Sequence, residues 1–429
     1  MTKLPETLSL PPLSLYVHIP WCVKKCPYCD FNSHSIHSRP LLDTALLSSR
    51  SDSASSATDT IPEEQYIDQL LADLKADALY AQGRKLQSIF FGGGTPSLFS
   101  AKGIARIIDG ADKLIGIKRS AEITLEANPG TTEHSRFTGY HDAGVNRLSI
   151  GAQSMQDRHL ETLGRIHSSK EVVAAVNAAR GAGFDNFNID LMHGLPDQSI
   201  EDALNDLQQV IDLSPAHLSW YQLTIEQNTA FYRQPPKLPV DDVLAIIEEQ
   251  GHAWLQSQGF SQYEVSAFCL TSNAKDPSQN LRSQHNLNYW MFGDYLGIGA
   301  GAHGKITDIE SNQILRRQKT RLPAHYLSAD FSESLTSNAI IARSTHPTQW
   351  NAVDHNALPL EFMMNALRLN QGVPSHLFHE RTGLSKEVIT SELKYLIKRG
   401  LLENDPFLYK TTDLGRRFLN EAVSIFMEE

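Results

Sequence analysis

Apolar residues alternate with polar ones, or run continuously, in six short segments of the first half of the chain, and between them the spacing shifts to the period of amphipathic helices. The strand-like segments are residues 13–19, 87–91, 122–126, 146–150, 186–190 and 217–223, and the helical ones include 63–81, 101–114, 170–181 and 200–213. Strand and helix thus alternate about six times, which predicts an α/β fold with a parallel sheet under covering helices. A polar or glycine-rich motif follows nearly every strand. That arrangement favours a partial (β/α)6 barrel over a flat doubly wound sheet, because such barrels gather reactive groups at the C-terminal ends of their strands.

The alternation fades after about residue 238. The spacing then predicts a long helix over 241–258, a short strand over 262–266 and a turn in the glycine-rich stretch GDYLGIGAGAHG. Residues 239–354 therefore read as a linking region beside the barrel of residues 1–238. From 355 to 429 the order is helix (359–369), helix (374–382), helix (385–399), the segment LLENDPFLYKTT and a last helix, which predicts a winged-helix-like C-terminal domain. Its third helix, SKEVITSELKYLIKRG, mixes Glu387 and Glu392 with lysines, so packing or partner docking is expected there rather than nucleic-acid binding. Residues 35–60 are serine-rich with little to bury, and predict a flexible insertion.

Composition narrows the classes. The chain has 429 residues, 41% hydrophobic and 20% charged, with a net charge of −11. These are globular values for a barrel plus a smaller unit, and the acidic balance disfavours broad attraction to nucleic acid. The N-terminal MTKLPETLSLPPLSLYV carries one lysine and early prolines without a long apolar run, so no secretory signal and a reducing, cytoplasmic setting are expected.

Three of the four cysteines fall within eight residues, as Cys22-x3-Cys26-x2-Cys29 in LYVHIPWCVKKCPYCDF. Each iron of a [4Fe–4S] cube needs a terminal ligand, and proteins usually supply four thiolates. Three thiolates leave one iron open to a small molecule with an amine and a carboxylate. A zinc knuckle or a loop of unpaired thiols is the competing reading, although zinc usually shows a second C-x-x-C or H-x3-5-H couple. Further motifs close the successive strands: Gly92-Gly93-Gly94-Thr95-Pro96, Glu126-Ala127-Asn128-Pro129, Gly151-Ala152-Gln153-Ser154 and Asp190. Glycines bring backbone amides against a ligand, and the carboxylates and amide suit hydroxyl and amine groups of a nucleoside or amino acid. Arg165, in LGRIH, offers a planar fork to a carboxylate.

Together these motifs resemble the radical S-adenosylmethionine (SAM) proteins of the coproporphyrinogen dehydrogenase-like group, and within it the heme-chaperone branch. The resemblance runs from Leu13 to Arg417 apart from the insertion. It implies that Cys22, Cys26 and Cys29 hold an iron–sulfur [4Fe–4S] cluster whose fourth iron is chelated by SAM. It further implies that Tyr16, Tyr28, Gly93, Gly94, Thr95, Glu126, Gln153, Arg165, Asp190 and, by a weaker transfer, Thr224 lie along that SAM. Reduction of such a cluster generally cleaves SAM to methionine and a 5′-deoxyadenosyl radical.

Two departures separate the chain from the coproporphyrinogen III dehydrogenase, a radical SAM oxidative decarboxylase. Phe31 stands where that enzyme has a further cysteine, and only fifteen residues precede Tyr16. Conversely, His285-Asn286-Leu287-Asn288-Tyr289-Trp290 matches the HNxxYW motif that the heme-chaperone branch associates with heme. Imidazole is a common axial ligand, and Tyr289 and Trp290 offer flat apolar surface for a porphyrin. His303, in GAHG, is a second candidate ligand, equally readable as a turn residue near the SAM site. The resemblance thus favours heme transfer to acceptor proteins over coproporphyrinogen oxidation. It also implies a homodimer and peripheral contact with membrane-bound respiratory acceptors.

Overall fold

In the computed structural model, which describes residues 8–37, 61–130, 135–271, 281–331 and 349–427, six strands lie parallel and in chain order. They are β1 (Leu13–Ile19), β2 (Leu86–Gly93), β3 (Ile117–Ala127), β4 (Arg147–Gln153), β5 (Phe187–His193) and β6 (His217–Gln222). This is the partial (β/α)6 barrel that the alternation predicts. β1 falls where its pattern places it, and the others begin or end a few residues from theirs. β3 is the largest departure, gaining an exposed N-terminal end that no burial pattern marks.

The covering helices form for local reasons. Ala101–Leu114 starts at Ser100, whose hydroxyl accepts from the Gly103 amide at 3.0 Å, and it buries Ile104, Ile107 and Ala111. Ser168 and Glu171 make a reciprocal capping box at the start of Ser169–Gly181. The expected helix over 63–81 is α-helical only over Glu63–Asp77. Its last turn tightens to a 3-10 helix, Ala78–Ala81, and ends at Gln82 in a left-handed conformation, φ 49°.

Where a linker beside the barrel was expected, residues 239–354 instead extend the barrel's own sheet at both edges. β7 (Phe260–Glu264) and β8 (Ala267–Leu270) add antiparallel beyond β6. β9 (Asp294–Ile298) pairs in parallel with β1, Tyr16 opposite Gly297, and β10 (His303–Asp308), β11 (Gln313–Gln318) and β12 (Asn351–Ala352) follow it antiparallel. The sheet therefore runs β12-β11-β10-β9-β1-β2-β3-β4-β5-β6-β8-β7. The glycine-rich stretch read as a turn contains β9. Leu296 and Ile298 are fully buried, and Gly297 is small because the His303 carbonyl occupies the space of a Cβ.

The added edge is fastened by buried charge. Asp73 and Asp77, on the helix Glu63–Asp77, are bridged by Lys319 and joined to Arg317, and the Tyr326 hydroxyl donates to Asp73 at 2.7 Å. All four ionic side chains are at most 3% exposed, so each charge depends on its partners rather than on water.

The C-terminal unit packs around Phe362, Met363, Phe378 and Leu396, in a core it shares with Tyr263, Leu287, Phe292 and Ile314 of the preceding region. It comprises the helices Leu358–Ala366, His376–Thr382 and Thr390–Lys398, the antiparallel two-residue strands Val373–Pro374 and Leu408–Tyr409, and short helices Asp413–Arg417 and Leu419–Ser424. The third expected helix opens with a 3-10 turn, Lys386–Ile389. Residues 38–60 of the serine-rich insertion lie outside the described residues, whereas His34–Ser35 pairs with Trp21–Cys22 and closes the cysteine loop at its base. No helix among the described residues is long and apolar enough to cross a membrane.

Candidate functional site

The three cysteines occupy the loop that leaves the C-terminal end of β1. They are close enough that Cys22 feels the charges of both Cys26 and Cys29. Burial pushes the Cys22 and Cys29 thiols upward, opposed at Cys22 by hydrogen bonds from Thr95 and Ser33 and at Cys29 chiefly by Ser33. Buried thiols of this kind become thiolates when a metal supplies the compensating charge. Among the described residues no three His, Cys, Asp or Glu side chains are gathered tightly enough to share a single ion.

Around this loop the strand ends bring together most of the predicted residues. Gly93, at φ 115°, turns the chain so that its amide donates to Glu126 Oε2 at 3.2 Å. Gly94 passes so near the Trp21 carbonyl that a Cβ would lie 2.5 Å from its oxygen. The Gly94 and Thr95 amides donate to the carbonyls of Ile19 and Trp21, which ties the β2 loop to the cysteine loop. Arg165 reaches the same place from the other side. It donates to the Gly151 carbonyl at 3.0 Å and to Asn128 Oδ1 at 2.6 Å, and one nitrogen lies 3.6 Å from the Cys26 sulfur. Its Nε is buried with no partner among the described residues, a donor left over for a ligand. Tyr28 is partly buried against Arg165 and Cys26, and loss of water around its phenol pushes it well up. Gln153 sits at a bulge of β4 with φ 70°, its amide directly over Gly151.

Glu126 and Asp190 face each other across the mouth. Burial, and then the Asp190 charge, push Glu126 up to about 8, and burial raises Asp190 against hydrogen bonds from Asn188 and Ser149. Among the described residues neither carboxyl is in an ion pair, although the Arg147 charge acts on Asp190, and two such carboxyls are suited to hydroxyls and amines of a bound molecule. Asn128 belongs to this centre although no role was assigned to it from sequence. It spans Arg165 and Thr95, donating to Thr95 Oγ1 at 2.9 Å. Its place in the EANP motif after β3 is the signal for it. Thr224 stands apart, exposed in the loop after β6 with its hydroxyl donating to Glu226.

The HNxxYW segment forms the helix Gln284–Trp290, which meets β1, β2, β3 and β9. The Glu122 carboxylate accepts from the backbone amides of Gln284 and His285, both at 3.1 Å. His285, expected to face a porphyrin, is 1% exposed. Its Nδ1 is hydrogen bonded with Ser88 Oγ at 3.0 Å and its Nε2 with the Tyr289 hydroxyl at 2.8 Å. Burial holds it neutral, down at about 3. Tyr289 and Trp290 instead line a cavity of about 610 Å³ that also takes in Tyr16, Phe31, His303 and Arg321.

Chain-wide comparisons carry these motifs further. The Radical SAM superfamily matches residues 16–208, and the HemN C-terminal domain matches residues 353–418. Over 422 residues the chain is 45% identical to a protein of Escherichia coli (strain K12) named heme chaperone HemW, covering 98% of this chain and 100% of the other. It is 46% identical over 425 residues to a protein of the same name from Haemophilus influenzae, covering 98% and 99%. Among solved structures, coproporphyrinogen III oxidase (HemN) from Escherichia coli, a radical SAM enzyme, superposes with a TM-score of 0.71 at 22% identity, over 97% of this chain and 90% of that one. At that identity the likeness is one of fold.

Proposed function

Because the chain belongs to the HemW family of radical SAM proteins, we propose that it is a heme chaperone, taking up heme as cargo in the barrel cavity and passing it to acceptor proteins. One observation carries this reading. The cavity of about 610 Å³ beside the cysteine loop has flat aromatic walls at Tyr289, Trp290 and Phe31 and cations at Arg316 and Arg321. Its size falls within the range of small-molecule sites, and a porphyrin needs both features, apolar faces for the ring and positive charge for its carboxylates.

In this reading Cys22, Cys26 and Cys29 hold a [4Fe–4S] cluster. Tyr16, Tyr28, Gly93, Gly94, Thr95, Glu126, Gln153, Arg165 and Asp190 bind SAM, with Thr224 an outlying member of the set. When bound, this pair supplies one-electron chemistry. The chain's residues position and shield it: Arg165 takes the ligand's carboxylate, Asn128 fixes both Arg165 and Thr95, and Glu126 with Asp190 receives hydroxyls. His285 acts from behind the cavity wall, holding the Tyr289 hydroxyl in place. Transfer between partners, a dimer and contact with membrane-bound acceptors belong to the same proposal.

The test is a heme titration of the anaerobically reconstituted full chain, followed by mixing with a heme-free b-type acceptor. Saturable 1:1 binding and loss of heme to the acceptor are expected. Absence of binding, with turnover of coproporphyrinogen III instead, overturns the chaperone in favour of the decarboxylase.

A further inference from the structure

Two histidines line the cavity, His18 and His303, and His18 is buried with Nδ1 hydrogen bonded to the Tyr16 hydroxyl at 3.0 Å and Nε2 to the Asn32 carbonyl at 2.9 Å. His285 lies behind the cavity wall, with both ring nitrogens committed to Ser88 and Tyr289 and its ring enclosed by Tyr16, Phe90 and Tyr289. To ligate an iron it would have to give up the Tyr289 bond and rotate out of a site that Ser88 and the Glu122-bound helix start hold on two sides. His303 is the opposite case. It begins β10 with its side chain in the cavity and more than a third of its surface exposed, and no hydrogen bond engages its ring among the described residues. Burial together with Arg316 and Arg321 holds its imidazole below the ordinary range, so the nitrogen lone pair is available at neutral pH.

The cations around it also differ in their commitments. Lys305 is tied to Asp294 at 2.9 Å and to the Phe292 carbonyl, and Arg316 is paired with Glu361 and bonded to the Tyr295 hydroxyl. Arg321 has no ion pair among the described residues, and its side chain is exposed at the rim. The strand that carries His303 is rigidly held: Gly299 and Ala300, which precede it, donate to the hydroxyls of Tyr326 and Tyr66. A ligand on such a support is pre-positioned rather than recruited.

We infer that His303, and not His285, is the axial ligand to the iron of bound heme, and that Arg321 receives one of its propionates. The inference deepens the chaperone reading and rests on it. Coordination adds one Nε2 or Nδ1 lone pair to the iron and transfers no electron. Tyr289, Trp290 and Phe31 then meet the ring, and His285 is a positioning residue for Tyr289.

The experiment compares the wild type, His303→Ala, His285→Ala and Arg321→Ala as full-length proteins with their clusters intact, titrated with ferric heme and read by difference absorbance and electron paramagnetic resonance. Cluster content serves as the check on folding. The expected result is that His303→Ala loses the imidazole-ligand signature, weakens binding at least tenfold, and recovers the signature when free imidazole is added. His285→Ala should keep the signature with a weaker affinity, and Arg321→Ala should keep it too while losing its preference for heme over heme dimethyl ester. A wild-type signature in His303→Ala, or its loss in His285→Ala alone, overturns the inference and leaves the chaperone reading standing. Absence of saturable binding in the wild type overturns that reading and takes this inference with it.

Discussion

Two polar regions of one sheet are built on opposite rules. At the outer edge, Asp73, Asp77, Arg317 and Lys319 neutralise one another inside the protein, and Tyr326 takes the oxygen left over. At the mouth of the barrel, Glu126 and Asp190 face each other with no ion pair among the described residues, only the Arg147 charge reaching Asp190; three thiols share a loop, and Arg165 keeps a buried Nε without a partner. In the first region each charge is paired with its opposite, although Arg317 keeps Nε and one Nη without hydrogen-bond partners among the described residues, and the region is structural. The second is incomplete and therefore a place for something else, since a buried polar group left unpaired costs free energy that only a ligand can return.

The largest expected effect breaks the completed side. Asp73→Ala strands Lys319 and Arg317 in the interior, and should cost about 3–5 kcal/mol of stability in chemical denaturation. The Asp73→Leu, Lys319→Met pair removes one charge of each sign and should recover most of that loss; a double variant as unstable as the single one would show that the network's hydrogen bonds, and not its charge balance, hold the edge.

Acid acts next. His18, His167, His193, His252 and His285 are held down at about 3 to 4 by burial. Their folded forms are neutral where the unfolded chain already takes up protons, so stability is fully present above about 6.5 and falls as the pH drops toward 4. The slope is up to about 1.4 kcal/mol per histidine per pH unit. Thermal melts between pH 7.5 and 4.5 check this, and a flat profile above pH 5 refutes it.

The open side responds through ligands instead. Arg165→Ala should weaken SAM by roughly ten- to a hundredfold, the worth of a charged hydrogen bond, while cluster iron stays intact and the melting temperature moves little. Calorimetry with unchanged SAM affinity would remove Arg165 from the site. The smallest effect belongs to Glu126. A ligand that prefers the ionised carboxyl must displace its proton, so SAM affinity should rise several-fold from pH 6.5 to about 8 and level off above, and Glu126→Gln should flatten that rise.

This contrast also explains what could be read from the chain alone. β1 and the helix Ala101–Leu114 are legible because their burial follows the local period, and the thiol loop because its spacing is itself the chemistry. β9 is not, since its pairing with β1 joins segments some 280 residues apart and glycines interrupt its apolar pattern. Nor could the sequence place His285 behind the wall, because its partner Ser88 lies 197 residues away, on β2. The motif predicts His285, Tyr289 and Trp290 all facing a porphyrin, and of these only Tyr289 and Trp290 line the cavity.

Asn32 has a longer reach than its size suggests. It lies three residues past the last cysteine, its carbonyl is hydrogen bonded with His18 at 2.9 Å, and its amide donates to the carbonyls of Ala300 and Arg321. One side chain thus staples the thiol loop to the wall that carries His303 and Arg321. A shared fastening gives the two walls a physical route by which ligands on either side would be coupled. If both proposed ligands bind, then by whatever factor SAM alters the hold on heme, heme must alter the hold on SAM by the same factor.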